Sequence, residues 1–219
     1  MSRPTTPRAI EPRKAPSHAR SGATVAAILE AAARILERAG LNAFNTNAVA
    51  ALAGVSVGSL YQYFPNKQAL LAALVAREAE DIHATVATVA DTATTLPLAA
   101  GLRRIVAAAI ARQTRRRDLA RILDFVEAGL PALPETQRAG AALLGAVSSF
   151  LARHAASLPT HDIATAAADC VLVARALIDG ATERGPIDPT MLEDRVVRTL
   201  LGYLAPNATR SSRRAVGTL

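Results

Sequence analysis

The 219-residue chain has a single cysteine, no tryptophan, three tyrosines and four phenylalanines. One cysteine, Cys170, excludes an internal disulfide and a zinc site built on several thiolates, and it fits a reducing compartment. With so few aromatics the apolar load falls on Ala, Leu, Val and Ile, which favours helices packed through small residues over a sheet. No uninterrupted apolar run reaches the ~18 residues of a membrane span, and the Pro- and Arg-rich start lacks the apolar core of a secretory signal. A cytoplasmic protein without membrane contact is expected. Catalysis also lacks its usual materials. His18, His83, His154 and His161 show neither an i, i+4 pair nor zinc-ligand spacing, and no glycine loop of phosphate-cradling pattern is present. We therefore assign no catalytic residue, no metal ligand and no cofactor, and expect a non-enzyme.

Hydrophobic residues make up 51% of the chain, enough for a substantial core, and the formal charge is +7. The charge is uneven. Residues 1–75 hold 8 Lys/Arg against 3 Asp/Glu, residues 76–206 hold 14 against 15, and the segment from 207 onward adds three Arg and no acid. A basic front on a neutral middle fits a polyanion-binding module joined to a part with another task, although such an excess also occurs on ordinary soluble surfaces.

Pro4, Pro7, Pro12 and Pro16 among scattered cations make residues 1–20 a disordered basic arm by composition. Over 24–39, Ile28, Ala31, Ala32, Ile35, Leu36 and Ala39 follow helical spacing, with Gly40 placed as a C-terminal cap. Thr46 then stands as the N-cap of a short second helix, Gly54 breaks it, and Ser56 caps a third that ends before Pro65. Asn66 caps a long fourth helix whose buried stripe starts with Leu70, Leu71, Leu74 and Val75. Further helices are expected over 97–115, 118–128, 136–156, 161–184 and 189–204, with short connections and no strand pattern. The fold class is all-α. The expected division is an arm (1–20), a three-helix helix-turn-helix domain (21–70), a larger helical-bundle effector and dimerisation domain (71–206) and a flexible basic tail (207–219).

The run over 46–64 reads as two short helices around a tight turn. Gly54 permits the positive φ of that turn. Val49, Leu52, Val55, Leu60 and Phe64 are spaced to share a small core with the first helix, which leaves Ser56, Val57, Gly58, Ser59, Gln62 and Tyr63 facing outward on the third. Small residues at the front of a helix followed by polar side chains suit a recognition helix entering a major groove.

Residues 53–71, Ala-Gly-Val-Ser-Val-Gly-Ser-Leu-Tyr-Gln-Tyr-Phe-Pro-Asn-Lys-Gln-Ala-Leu-Leu, resemble the signature of the TetR family of bacterial transcriptional regulators. The resemblance covers about 20–75, with Ser59 in place of the more usual Thr and Gln68 in place of the usual Glu. It implies a homodimer that binds an operator in double-stranded DNA and is released by a small-molecule effector, whose identity the sequence does not give. It also implies phosphate contacts from Thr46, Lys67, Tyr61 and Tyr63, for which Lys67 and the adjacent amides form an anion site. For Tyr61, a core position with its hydroxyl in solvent fits equally well. Gln62 is the candidate base reader, through a bidentate amide pair to adenine, and Val57 is placed to touch a thymine methyl. No cation lies on the outward face of this helix, so the arm around Arg13, Lys14 and Arg20 and other phosphate contacts carry the affinity.

Beyond the motif the signals are thinner. Gln113, Asp124, Phe125, Phe150, Asp169 and Cys170 are candidates for an effector pocket, although ordinary packing explains any one of them, and Cys170 in particular reads as a small buried apolar residue. Arg115, Arg116 and Arg117 read as a solvated helix end, and Glu78, Glu80 and Asp81 as an exposed stretch. The final helix has a broad apolar face. Its Val196, Val197, Leu200, Leu201 and Leu204, with Val171, Ala174 and Ile178, are the candidate dimer interface. Rival readings are a DNA-binding regulator without an effector, a helical enzyme and a structural adaptor. An enzyme would need convergent titratable groups, and an adaptor would bind specific and random duplexes alike.

Overall fold

The computed structural model describes residues 19–131, 133–159, 162–185 and 188–205. The arm, including Arg13, Lys14 and His18, the side chain of Arg20, His161 and the tail from 206 lie outside the described residues. The helices are α1 (Ala19–Ala43), α2 (Thr46–Ala53), α3 (Val57–Tyr63), α4 (Lys67–Ala93), α5 (Leu98–Arg115), α6 (Arg117–Glu127), α7 (Pro134–Ala152), α8 (Ile163–Arg184) and α9 (Pro189–Leu204), with a 3₁₀ turn at Ala155–Ser157. Among the described residues there is no strand.

The chain forms two compact units. The first runs to Asp81 and takes in Arg116–Gln137, and the second comprises Ile82–Arg115 and the remainder from Arg138. In the first unit, hereafter the head, Ile28, Ala32 and Leu36 of α1 pack with Val49, Leu60, Phe64, Leu70, Leu74 and Leu119, all fully buried or nearly so. Burial of each such Leu or Ile side chain contributes about 1.5–3 kcal/mol. α1 runs past the expected end at residue 39. Gly40 takes φ 69° and ψ −179°, a break after which one more turn carries the chain to Ala43.

α4 continues unbroken through residue 70, where the sequence reading divides the chain, and α6, expected in the body, packs on α1. Leu119, Leu123 and Val126 of α6 are buried with α1 in the head core, and Arg116, just before α6, adds ion pairs to the same contact. Instead of being solvated it is only 19% exposed, and it pairs with Glu37 and Glu30 of α1. Of the expected exposed acids, Glu80 and Asp81 are exposed, whereas Glu78 is half-buried and bound to Arg77 at 2.6 Å.

In the second unit α9 packs against both α5 and α8. Val106, Phe150, Leu151, Ala167, Val196 and Val197 lie in its core. The Phe150 ring of α7 reaches across to Gly101 of α5, where an added Cβ would stand 2.3 Å from it, so any side chain there would have to displace the ring. His154 is half-buried and sets its ring edge-on to Phe150, with centroids 5.1 Å apart.

The broad face of α9 corrects the expected dimer interface. Ile178, Val196, Val197, Leu200 and Leu204 are buried in this unit's own core, and only Val171, Ala174 and Leu201 are partly exposed. A face that must cover two neighbouring helices has to be wide, and no second copy is needed to explain it.

Candidate nucleic-acid interface

The α2–turn–α3 segment is built from caps that follow one another without slack. Asn45 is the N-cap of α2 and accepts the Ala48 N–H at 2.8 Å, so Thr46, the expected cap, is instead the first helical residue. Gly54 ends α2 in the left-handed region (φ 68°, ψ 30°), where a side chain would be strained, and the Val55 amide bonds back to the Ala50 carbonyl at 3.0 Å. Ser56 starts α3 as expected. Its hydroxyl accepts the Ser59 N–H at 3.0 Å and lies 2.8 Å from the Ser59 hydroxyl. Beyond Pro65, Asn66 accepts the Ala69 N–H at 2.8 Å and opens α4.

Leu60 and Phe64 anchor this segment in the head core. Ser56, Val57, Gly58, Tyr61 and Gln62 are exposed together, forming an outward face without a charged side chain, and nothing comes nearer to a Cβ built at Gly58 than the Ser56 hydroxyl at 3.9 Å. The front of α3 is thus open for close backbone approach.

Three expectations need correction. Leu52 is 45% exposed, because α2 turns Val49 and Ala50 inward and Leu52 lies off that face. Tyr63 is half-buried and packs on the head core, three residues on from Leu60 and beside Phe64. Ser59 is half-buried, with its hydroxyl occupied by Ser56.

Contacts invisible in the sequence pair two of the phosphate candidates and orient a third. The hydroxyls of Thr46 and Tyr61 lie 3.0 Å apart, which places the start of α2 beside the outward face of α3. Lys67 donates to the Leu41 carbonyl at 3.4 Å, and its ammonium sits 5.3 Å from the centroid of the Phe44 ring. An exposed cation fixed by a carbonyl and an aromatic face is oriented before any ligand arrives.

Sequence comparison agrees with this geometry. The profile described as "Bacterial regulatory proteins, tetR family" matches residues 28–74, and that described as "Tetracyclin repressor-like, C-terminal domain" matches residues 97–204. The chain belongs to the TetR family. This TetR-family transcriptional regulator has the same fold as a family protein of Mesorhizobium loti, with a TM-score of 0.68 at 19% identity over 86% of this chain and 100% of that one. The fatty acid degradation regulator FadR from Bacillus halodurans is similar over 81% of this chain and 97% of its own, at TM-score 0.62 and 18% identity. A TetR-family regulator from Streptomyces coelicolor gives TM-score 0.58 and 24% identity over 83% and 99%. No curated protein matches the chain in sequence.

The pocket candidates of this TetR-family chain are divided between its two units. Asp124 and Phe125 are exposed on α6 of the head, whereas Gln113, Phe150 and Cys170 are buried, and Asp169 half-buried, in the second unit. Gln113 donates to Asp179 at 3.3 Å. Asp169 accepts from the Tyr203 hydroxyl, and this bond pushes the phenol up to about 12. Burial, with the Asp169 charge adding, pushes the Cys170 thiol up to about 11, which keeps it protonated and unreactive near neutral pH. Among the described residues no group of three or more His, Cys, Asp or Glu side chains is placed to hold a metal ion, and no helix is long and apolar enough to cross a membrane.

Proposed function

We infer that this regulator is a homodimeric repressor that reads a near-palindromic operator with α3 and is released from it by a small-molecule effector. The observation that carries the reading is the open, uncharged face of α3, flanked by the Thr46–Tyr61 pair and the oriented Lys67. Phosphate-binding groups beside a small polar helix front provide both register and base contact. Gln62 remains the base reader and Val57 the methyl contact in this reading.

Two-fold operators need two heads. The outward stripe Ala168, Leu172 and Ala176 of α8 repeats every four residues and is exposed, with Leu172 at 66%, and Tyr203 of α9 stands close by through its bond to Asp169. This stripe, rather than the buried face of α9, supports a self-complementary contact with a second copy. For effector recognition, the Gln113–Asp179 pair offers hydrogen-bonding groups inside the second unit.

The test is selection of bound duplexes from a random pool, followed by footprinting. Two inverted half-sites with centres about 34–36 Å apart are expected. Recovery of unrelated sequences, or of single half-sites, would overturn the dimeric repressor reading. Leu172→Glu is expected to give monomers by light scattering and to weaken operator binding, and a dimer unchanged by it would move the interface elsewhere. A thermal-shift screen separates effector release from control by abundance alone.

A further inference from the structure

The head carries an apolar groove that the nucleic-acid contacts leave unused. Leu41 at the end of α1, Gln68 and Leu71 at the start of α4, and Phe125, Val126 and Leu130 of α6 and the turn after it line a volume of about 450 Å³, with Ala128 also in the wall. The lining includes no charged side chain, and Gln68 supplies its only polar one. A second observation points to an occupant. Phe44, Phe64 and Phe150 are all buried, whereas Phe125 in this groove leaves 74% of its surface in solvent.

Size decides between kinds of occupant. A stable protein partner covers about 800 Å² and 20–30 residues on each side, far more than this groove offers. Its volume falls instead in the range of small-molecule sites, roughly 300–1,000 Å³. The uncharged wall selects a neutral molecule, the exposed phenyl ring favours one with a flat apolar part, and the Gln68 amide can take one hydrogen bond.

We propose that this groove is a second effector site, within the head itself, that takes a neutral, mainly apolar, ring-containing molecule and weakens DNA binding when filled. The coupling runs through Lys67. Its ammonium is held by the carbonyl of Leu41, a residue of the wall, and it directly precedes Gln68, another, so a ligand that shifts Leu41 or the first turn of α4 shifts the phosphate-binding cation. The coupling, though not the ligand binding, rests on the DNA-binding reading above.

The probe is N-phenyl-1-naphthylamine, a neutral fluorophore, added to the full chain alone and with the selected duplex. Saturable fluorescence is expected for the wild type. Ala128→Trp, which fills the groove from an exposed position, and Phe125→Ser, which removes the exposed ring, should each weaken probe binding by about tenfold with unchanged melting midpoints. The probe should lower wild-type DNA affinity by about fivefold. Ala128→Trp should show lowered affinity without probe and no further response to it. Absence of saturable binding, or binding that ignores both substitutions, overturns the site. Binding sensitive to both substitutions with DNA affinity unmoved overturns the coupling. Failure to bind any duplex before the probe is added is failure of the DNA-binding reading instead, and leaves the fluorescence to decide the site.

Discussion

Arg116 holds Glu37 of α1 through two parallel hydrogen bonds, Nε to Oε1 and Nη2 to Oε2, each 2.7 Å long. Its remaining nitrogen, Nη1, donates to Glu30 at 3.0 Å, and Glu30 also receives Arg34 at 3.0 Å. The Glu37 bonds, against the opposing effect of burial and with Glu30 adding, raise the guanidinium well above its ordinary value. A planar fork matched to a carboxylate in a site sheltered from water is the geometry in which an ion pair contributes more than on an open surface.

Removing that fork should loosen α6 from α1. Arg116→Ala is expected to destabilise the head by about 1–2 kcal/mol in urea unfolding, and Arg116→Lys should recover only part, because an ammonium cannot make both parallel bonds. Equal stability of the lysine variant and the wild type would show that the charge alone matters.

Glu30 gives the acid limb of stability a definite sign. Burial would raise its carboxyl, but bonds from Arg34 and Arg116 and the charges of Arg116 and Arg77 outweigh this and hold it below the ordinary 4.5. Its stabilising contribution is therefore complete above pH ~4.5 and is lost as pH falls through the lower folded value. Glu30→Gln should flatten that part of the urea-midpoint profile between pH 5 and pH 3. A profile of unchanged slope would contradict the assignment.

The Thr46–Tyr61 pair predicts synergy in DNA binding. One hydroxyl donates to the other, which leaves a single proton free for phosphate. Thr46→Val or Tyr61→Phe each leaves one donor in place, so each alone should be mild, and the double variant should lose about 1 kcal/mol more than the sum. Strict additivity in a titration series would show that the two act separately.

Lys67→Ala should lower affinity for all duplexes alike and reduce the slope of log K against log salt by about 0.9, the share of one phosphate contact. A slope that does not change would place Lys67 off the nucleic acid.

Gly101→Ala tests the α5–α7 contact. With the new Cβ 2.3 Å from the Phe150 ring, a loss of about 1–3 kcal/mol is expected, and Phe150→Leu in the same chain should recover part of it. Thermal melts of the single and double variants decide.

What the sequence made legible was local. Ser56 and Asn66 each accept an amide three residues on, and Gly54 bends its own backbone, so their roles could be read from spacing alone. The same local reading misplaced the cap of α2 by one position, because Asn45 and Thr46 are both good caps and only the backbone decides between them. Arg116 was not legible, since its partners lie 79 and 86 residues away. Nor was the outward face of α9. Periodicity gives the width of an apolar stripe but not how many neighbours divide it, and here α5 and α8 both claim a share.

α3 (Val57–Tyr63), the helix proposed to read bases, carries no charged residue. In the reading proposed above, Gln62 is the one side chain of this helix able to pair bidentately with a base, and the valine and hydroxyls beside it penalise mismatches more lightly. Promoters should therefore form a graded series of targets, filled in order as copies of the protein accumulate in the cell.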